Sequence, residues 1–263
     1  MPSSQITRRT FAATASGFAA GVFATAILGA NARVAAGQAT PIASVPAEYV
    51  STRLRTLSSP DFRDQVNAQV LEQFIPEIET LNGYRGYVLG DVVDHDDQSL
   101  AISVMSNVNQ QAAFDAASQE FVAGLGELST ALETQEWKGD LQIAAGPATT
   151  MATPVAMSGG MASQGYVTVR IYRSGSSDPR GLVPELISGF LPITSGILGF
   201  EGYLWYLTDE GFVAISLFDS IESADASTEA ARDWAAENAT AYFEGDPIVI
   251  NANVVYANLP VLR

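Results

Sequence analysis

The chain carries one pattern twice, and nothing else in it restricts the fold so strongly. Residues 74–106 read FIPEIETLNGYRGYVLGDVVDHDDQSLAISVMS and residues 190–219 read FLPITSGILGFEGYLWYLTDEGFVAISLFD. The copies share Phe74 with Phe190, Pro76 with Pro192, and Gly83-Tyr84-x-Gly86-Tyr87 with Gly199-Phe200-x-Gly202-Tyr203. They meet again at Ala101-Ile102-Ser103 and Ala214-Ile215-Ser216. The offset is 116 residues at the glycines and 113 at Ala-Ile-Ser, so the second copy has the shorter hairpin. Self-similarity at a fixed spacing marks a duplicated structural unit.

Each copy orders its elements alike. Tyr49-Val50-Ser51-Thr52-Arg53-Leu54 alternates polar and apolar residues, the period of a half-buried strand, and Tyr166-Val167-Thr168-Val169-Arg170-Ile171 repeats it. Ser59-Pro60-Asp61 then opens a helix, with a hydroxyl to cap free N–H groups and a proline where no donor is needed. Phe62, Val66, Val70, Phe74 and Ile78 give that helix one apolar face, which Pro76 interrupts by removing a donor. Strands follow at 87–93 and 100–105 around an Asp94-His95-Asp96-Asp97 tip. A second helix is capped by Ser106 or Asn107, and a last strand follows Gly139-Asp140. The second copy predicts a strand over 165–172, a helix opened by Asp178-Pro179, a hairpin over 202–218, a helix opened by Asp219-x-x-Glu222 as a capping box, and a strand over 248–256. Gly139-Asp140 and Gly245-Asp246 read as the same corner. The order is β-α-β-β-α-β twice.

The resulting organisation is a targeting segment over 1–36, a Pro/Ala linker over 37–47, repeats over 48–146 and 163–263, and a Pro/Met/Ser/Gly linker over 147–162. In the first segment Arg8-Arg9, Phe11 and a mild Ala/Gly-rich apolar run resemble a twin-arginine export signal. Val34-Ala35-Ala36 supplies small residues for cleavage before Gly37, with Ala39 as a second option; the alternative is retention of the apolar run as an uncleaved anchor. Location outside the cytoplasm, in the periplasm, the cell envelope or the medium, is the expectation.

Net charge is −16, from 13 basic and 29 acidic side chains, and loss of residues 1–36 removes three arginines and no acid, deepening it to −19. So acidic a surface repels phosphate backbones and anionic lipid, which argues against nucleic-acid partners and against stable membrane association after export. With no cysteine and one histidine, His95, disulfides, thiolate metal sites and a Cys nucleophile are excluded. No nucleophile elbow, phosphate loop or dinucleotide fingerprint occurs.

Gly-Phe-x-Gly-Tyr entering a strand, an acidic turn, Phe212-Val213-Ala214-Ile215-Ser216-Leu217-Phe218, then Asp219-Ser220-x-Glu222-Ser223 opening an Ala-rich helix together resemble the antibiotic biosynthesis monooxygenase family. The resemblance spans both repeats. It implies an α+β fold of tandem ferredoxin-like units that pair within the chain as a dimeric α/β barrel. It also implies an activity without metal, flavin or other cofactor, in a pocket between sheet and helices. Haem-degrading relatives use an Asn, a Trp and a His, but here His95 sits at a hairpin tip and Thr52 and Val169 fill the first-strand positions.

Two groups of residues are candidates for a site. Arg53 and Arg170 occupy matching strand positions, and if Val50, Leu54, Val167 and Ile171 face the helices, both arginines point into the barrel. Each then either anchors an anionic or carbonyl group or forms a salt bridge between repeats. Tyr172, Tyr203, Trp205 and Tyr206 give the second repeat aromatic surface where the first has Arg55, Tyr87, Leu89 and Gly90. They form either ordinary sheet packing or one wall of a pocket for a flat apolar ligand. The expected pocket is lined by Tyr172, Phe190, Tyr203, Trp205 and Phe218, with Arg170 at its polar end. Trp234 and Phe121 read as core, and Asp91 and Asp94–Asp97 as a solvated tip and not a metal site. No catalytic residue is assigned. The expected function is that of an exported module that binds a small apolar or aromatic ligand or serves a structural role, without a recognisable catalytic set; the alternative is cofactor-independent monooxygenation of a quinol or polyketide-like ring.

Overall fold

A computed structural model describes residues 48–129, 133–147, 165–259 and 262. The expected export segment over 1–36, the linker over 37–47 and nearly all of that over 147–162 lie outside them.

Eight antiparallel strands form one closed barrel: β1 (Tyr49–Thr56), β2 (Tyr84–Val92), β3 (Gln98–Met105), β4 (Glu133–Ala145), β5 (Tyr166–Ser174), β6 (Phe200–Leu207), β7 (Gly211–Phe218) and β8 (Phe243–Asn258). Around the barrel they run β1-β3-β2-β8-β5-β7-β6-β4. Each half of the chain places its strands fourth, first, third, second. The halves are sewn together where β2 pairs with β8 and β4 with β6. Closure leaves no sheet edge unpaired.

Strand alternation divides the apolar residues between two kinds of core. Val50, Leu54, Val88, Ile102, Val167, Val169, Ile171, Leu204, Tyr206 and Ile215 point inward and fill the barrel. This overturns the expectation that Val50, Leu54, Val167 and Ile171 face the helices. The inward space of an eight-stranded barrel is only wide enough for packed side chains, and branched aliphatic residues take it. Arg53 and Arg170, one residue away in a period of two, are therefore directed outward, beneath the helices. Tyr206 and Thr52 bring polar groups into the barrel, the phenol donating to Thr52 Oγ1 at 2.8 Å.

Outside the barrel, each half lays two helical segments on its sheet. The first segment, α1 (residues 60–78), and its counterpart α3 (residues 179–195) begin as 3-10 turns, Pro60–Phe62 and Pro179–Leu182. Each contains one π-helical turn, Val70–Phe74 and Leu186–Phe190, where Ile75 N–H bonds to Val70 O and Leu191 N–H to Leu186 O. Pro76 and Pro192 follow at once, so the widened turn absorbs the missing donor without ending the helix. Helices α2 (Val108–Gly124) and α4 (Ile221–Asn238) are continuous. Asn107 caps α2 by accepting from Asn109 and Gln110 N–H, and Ser59 and Asp178 cap the segments that they precede. For α4 the cap is Ser220, accepting from Ser223 N–H; Asp219 is one residue too early, and the expected Asp219–Glu222 box does not form. Asp219 instead lies against the positive-φ Gly199, where a Cβ would collide with its carboxylate.

The expected corner at Gly139 and Gly245 is also absent. Gly139 lies in the middle of β4, opposite Val50 of β1, where a side chain would strike the Leu207 carbonyl of β6. Its counterpart by register is Ala252, opposite Val167, while Gly245 sits near the start of β8 with φ +68°. The last strands of the two halves thus correspond at an offset of 113. Among the described residues no helix is long and apolar enough to cross a membrane.

Candidate functional site

The outer cores of the two halves begin from the same scaffold and end differently. In the first, Phe74 packs on Tyr87, Phe114 and Phe121 with centroids 5.9, 5.6 and 4.9 Å apart, closing the space between β2, β3 and the helices. In the second, the helix positions of Phe114, Ser118 and Phe121, counted from the caps, hold Ser227, Ala231 and Trp234. Ser227 is buried against Thr194, and a small cleft of about 30 Å³ lies between α3, α4 and the sheet. Its walls are aromatic and aliphatic: Tyr172, Phe190, Tyr203, Trp205, Phe212 and Trp234, closed by Leu182, Leu186 and the small Ala231 and Ala235. Tyr172 stacks on Phe212 at 4.7 Å, Trp205 lies 5.2 Å from Phe212, and Phe190 bridges Tyr203 and Trp234 at 5.7 and 5.6 Å.

Of the residues expected to line a pocket, Arg170, Tyr172, Phe190, Tyr203 and Trp205 meet around this cleft. Phe218 does not. It is fully buried at the far end of β7, edge-on to Phe200 at 5.8 Å. Trp234, expected in the core like Phe121, is only partly buried and forms one wall. Its place depends on Gly189 in the π turn, since a Cβ there would approach the indole nitrogen to 2.9 Å.

The polar end is Arg170, 2% exposed. Its Nη1 donates to Ser216 Oγ at 3.1 Å and its Nη2 to Thr228 Oγ1 at 2.7 Å, while Nε has no partner. The indole N–H of Trp205, wholly buried, is unpartnered too. No lining side chain carries a carboxylate. Burial disfavours the charged guanidinium and lowers the Arg170 pKa, with Tyr172 and Tyr203 opposing. Burial raises both phenols, partly countered by Arg170, so at neutral pH they are O–H donors and not phenolates. The cleft thus presents a cation and several donors to anything that enters it.

Arg53 has a different fate. Its Nη2 is paired with Asp115, its Nε donates to Glu136 Oε1 at 2.9 Å, and its guanidinium lies 5.3 Å from the centre of the Phe114 ring. Asp115 is the helix counterpart of Thr228, and Glu136 and Val249 are the strand residues opposite Arg53 and Arg170 respectively. The positions that hold carboxylates in the first half hold neutral residues in the second. Neither arginine reaches the barrel interior, and neither bridges the two halves. A larger polar cleft of about 510 Å³ beside Arg53 is lined by Arg55, Ser118, Gln119 and Lys138 as well, and Arg55 donates to Ser118 at 2.8 Å.

At the hairpin tip, Asp91 accepts from Asn67 Nδ2 at 2.8 Å and lies 3.7 Å from Arg63, which also meets Asp96 at 3.4 Å. Among the described residues no group of three or more His, Asp or Glu side chains is arranged to hold a metal. Thr228, Phe212 and Phe243 were not singled out from the sequence. The 113-residue offset at Ala-Ile-Ser, carried on through α4 and β8, pairs Asp115 with Thr228 and Glu136 with Val249 and would have exposed both substitutions.

No protein-family model matches the chain, and no curated protein matches it in sequence. Solved structures do match in fold. A proposed monooxygenase from Lactobacillus acidophilus NCFM superposes with a TM-score of 0.61 at 10% identity, over 81% of this chain and 97% of its own. A second, from Fusobacterium nucleatum, gives 0.62 at 9% identity, over 82% and 96%. An anthrone oxidase-like protein gives 0.53 at 14% identity, over 81% and 94%. At such identities the likeness shows the fold alone: an α+β chain with a closed eight-stranded antiparallel barrel of the dimeric α/β barrel type.

Proposed function

We propose that this chain is a tandem of two ferredoxin-like repeats whose second copy binds a small, flat, largely aromatic molecule in the cleft between its sheet and its helices. The observation that carries the reading is the cleft itself: an aromatic box ending in a buried guanidinium, present in one half and closed by Phe114 in the other. Apolar surface removed from water contributes about 25 cal/mol per Å², so a ring system covered on both faces gains several kcal/mol. The net charge of −16 supports a partner other than nucleic acid. Arg8-Arg9 with its mild apolar run supports export by the twin-arginine route, which replacement of both arginines by lysine tests by trapping precursor in the cytoplasm.

A second reading has its own observation. Arg170 and the neutral Tyr203 phenol supply donors where negative charge on a substrate oxygen would develop. That suits a cofactor-independent oxidation by O₂, in which a ring CH₂ becomes C=O, one oxygen atom enters the product and the other leaves as water. The names of the fold neighbours point the same way. One experiment separates the readings: titrate aromatic quinols, polyketide-like phenols and haem into the protein, following Trp fluorescence and oxygen consumption together. Saturable quenching without oxygen uptake supports the binding module, and uptake that tracks quenching supports the enzyme. Quenching unchanged in the Trp205→Ala, Arg170→Ala double variant would remove the site.

A further inference from the structure

Resting on the binding-cleft reading, we infer that the ligand is an anion: a flat aromatic ring system bearing a negatively charged oxygen group, whose charge completes the ion pair that Arg170 lacks within the chain. The duplication supplies the internal control. Arg53 and Arg170 hold matching strand positions beneath the corresponding helices α2 and α4, and a buried guanidinium needs a compensating charge. In the first half Asp115 and Glu136 provide it. In the second, the same two places are Thr228 and Val249, and the guanidinium, 2% exposed, has two hydroxyl acceptors and a free Nε. The second half has the cation without either acid.

The remaining polar atoms at the cleft agree. The Trp205 indole N–H is buried without an acceptor, and the Tyr172 and Tyr203 phenols stay protonated. Unpaired buried donors are costly, and a charged acceptor relieves several at once. The aromatic walls fix the remainder of the ligand, because Tyr172, Phe212, Trp205, Phe190 and Trp234 offer ring faces and edges to a planar body. The net charge of −16 opposes any anion at long range. A measured preference for the charged ligand is therefore local in origin, and it survives in high salt because the pair is shielded from solvent.

The test uses 2-naphthoate and 2-naphthamide, which have similar shape and ring system and differ in charge. Calorimetry and Trp fluorescence on the full chain should show naphthoate binding at least tenfold more tightly. Arg170→Met should abolish the preference while retaining naphthamide binding. Thr228→Asp and the partly exposed Val249→Glu, which restore the first half's carboxylates, should also erase it without removing the arginine. Equal affinities for the two compounds overturn the anion and leave the aromatic cleft standing. Binding of neither compound overturns the cleft and the anion together. A naphthoate preference that persists in Arg170→Met and in Val249→Glu assigns the charge recognition elsewhere and also overturns the inference.

Discussion

The two halves of this barrel share their strand order, their π turns and a buried strand arginine, yet one arginine is paired with two carboxylates and the other with two hydroxyls. Around Arg53 the surroundings are self-sufficient: Asp115 and Glu136 neutralise the charge, and Phe74, Phe114 and Phe121 fill the volume. Around Arg170 the corresponding residues are Thr228, Val249, Phe190, Ser227 and Trp234, and both charge balance and packing are incomplete. Arg55 of the first half is likewise buried and hydrogen-bonded to a hydroxyl, that of Ser118, but it borders a polar cleft, whereas Arg170 borders an aromatic one.

The comparison is broken most directly by removing each arginine. Arg53→Met strands two partly buried acids, so a loss of about 2–3 kcal/mol is expected, toward the low side of the range for breaking a buried pair because each carboxylate is about a quarter exposed. Arg170→Met removes a charge that has no internal partner and should be neutral or stabilising by about 1 kcal/mol. Chemical denaturation of both variants checks this, and equal losses would mean that Arg170 is as well compensated as Arg53.

How much of this was legible beforehand depended on which spacing was followed. The shared glycines and Ala-Ile-Ser segments pointed to the strand and helix order that both halves follow and to the aromatic character of 203–206, because those features are local and periodic. Strand alternation also separated Tyr203 and Trp205 from Tyr206. Which face turned inward was not local. Val50 and Val167 are as apolar as any residue beneath a helix, and only barrel closure through β2–β8 and β4–β6 makes the opposite face the interior. That reversal turned both arginines from the barrel to the helices. Matching Gly139 to Gly245 hid the Glu136–Val249 substitution, since the true register pairs Gly139 with Ala252. Phe218 was misplaced because it shares a face with the lining residues but lies at the opposite end of its strand, a distance that alternation does not encode.

A smaller effect sharpens the comparison from the other side. Thr228→Asp places a carboxylate where Asp115 sits in the first half and should stabilise the fold by about 1 kcal/mol through a charge-assisted hydrogen bond to Arg170. A thermal shift of about 2–4 °C upward is the expected reading for a chain of this size. No shift, or a loss, would show that the hydroxyl pair already satisfies the guanidinium.

Gly189 tests the shape of the cleft apart from its charge. Its counterpart in the first half, counted from Phe74 and Phe190, is Gln73, a position with no indole against it. In Gly189→Ala the new methyl meets Trp234 Nε1 at 2.9 Å and two ring carbons at 3.5 and 3.6 Å, so the ring must shift by a few tenths of an ångström. The gain of about 0.5–1 kcal/mol from replacing a helical glycine offsets the crowding, and net stability should change by less than about 1 kcal/mol. Ligand affinity and the indole emission should both change. Gln73→Gly should cost a similar helix propensity and leave the emission as it was.

The smallest expected effect is on acid stability, and it again separates the halves. Burial raises the Glu136 carboxyl, but Arg53, with hydrogen bonds from Ser51, Lys138 and Arg53, outweighs burial and brings its pKa below the ordinary value. A carboxylate depressed in the folded state contributes stability that is fully present above its unfolded pKa of about 4.3 and is lost as pH falls through the lower folded value. Because Glu136 is partly exposed, the contribution should be under about 1 kcal/mol. Glu136→Gln should therefore flatten the fall in denaturation midpoint below pH 4.3, with little change in its shape near neutrality. At the matching position of the second half, Val249→Glu should steepen that same fall, because its acid would gain Arg170 as a partner only in the folded state. Parallel curves for the parent, Glu136→Gln and Val249→Glu would mean that neither strand position senses the arginine opposite it.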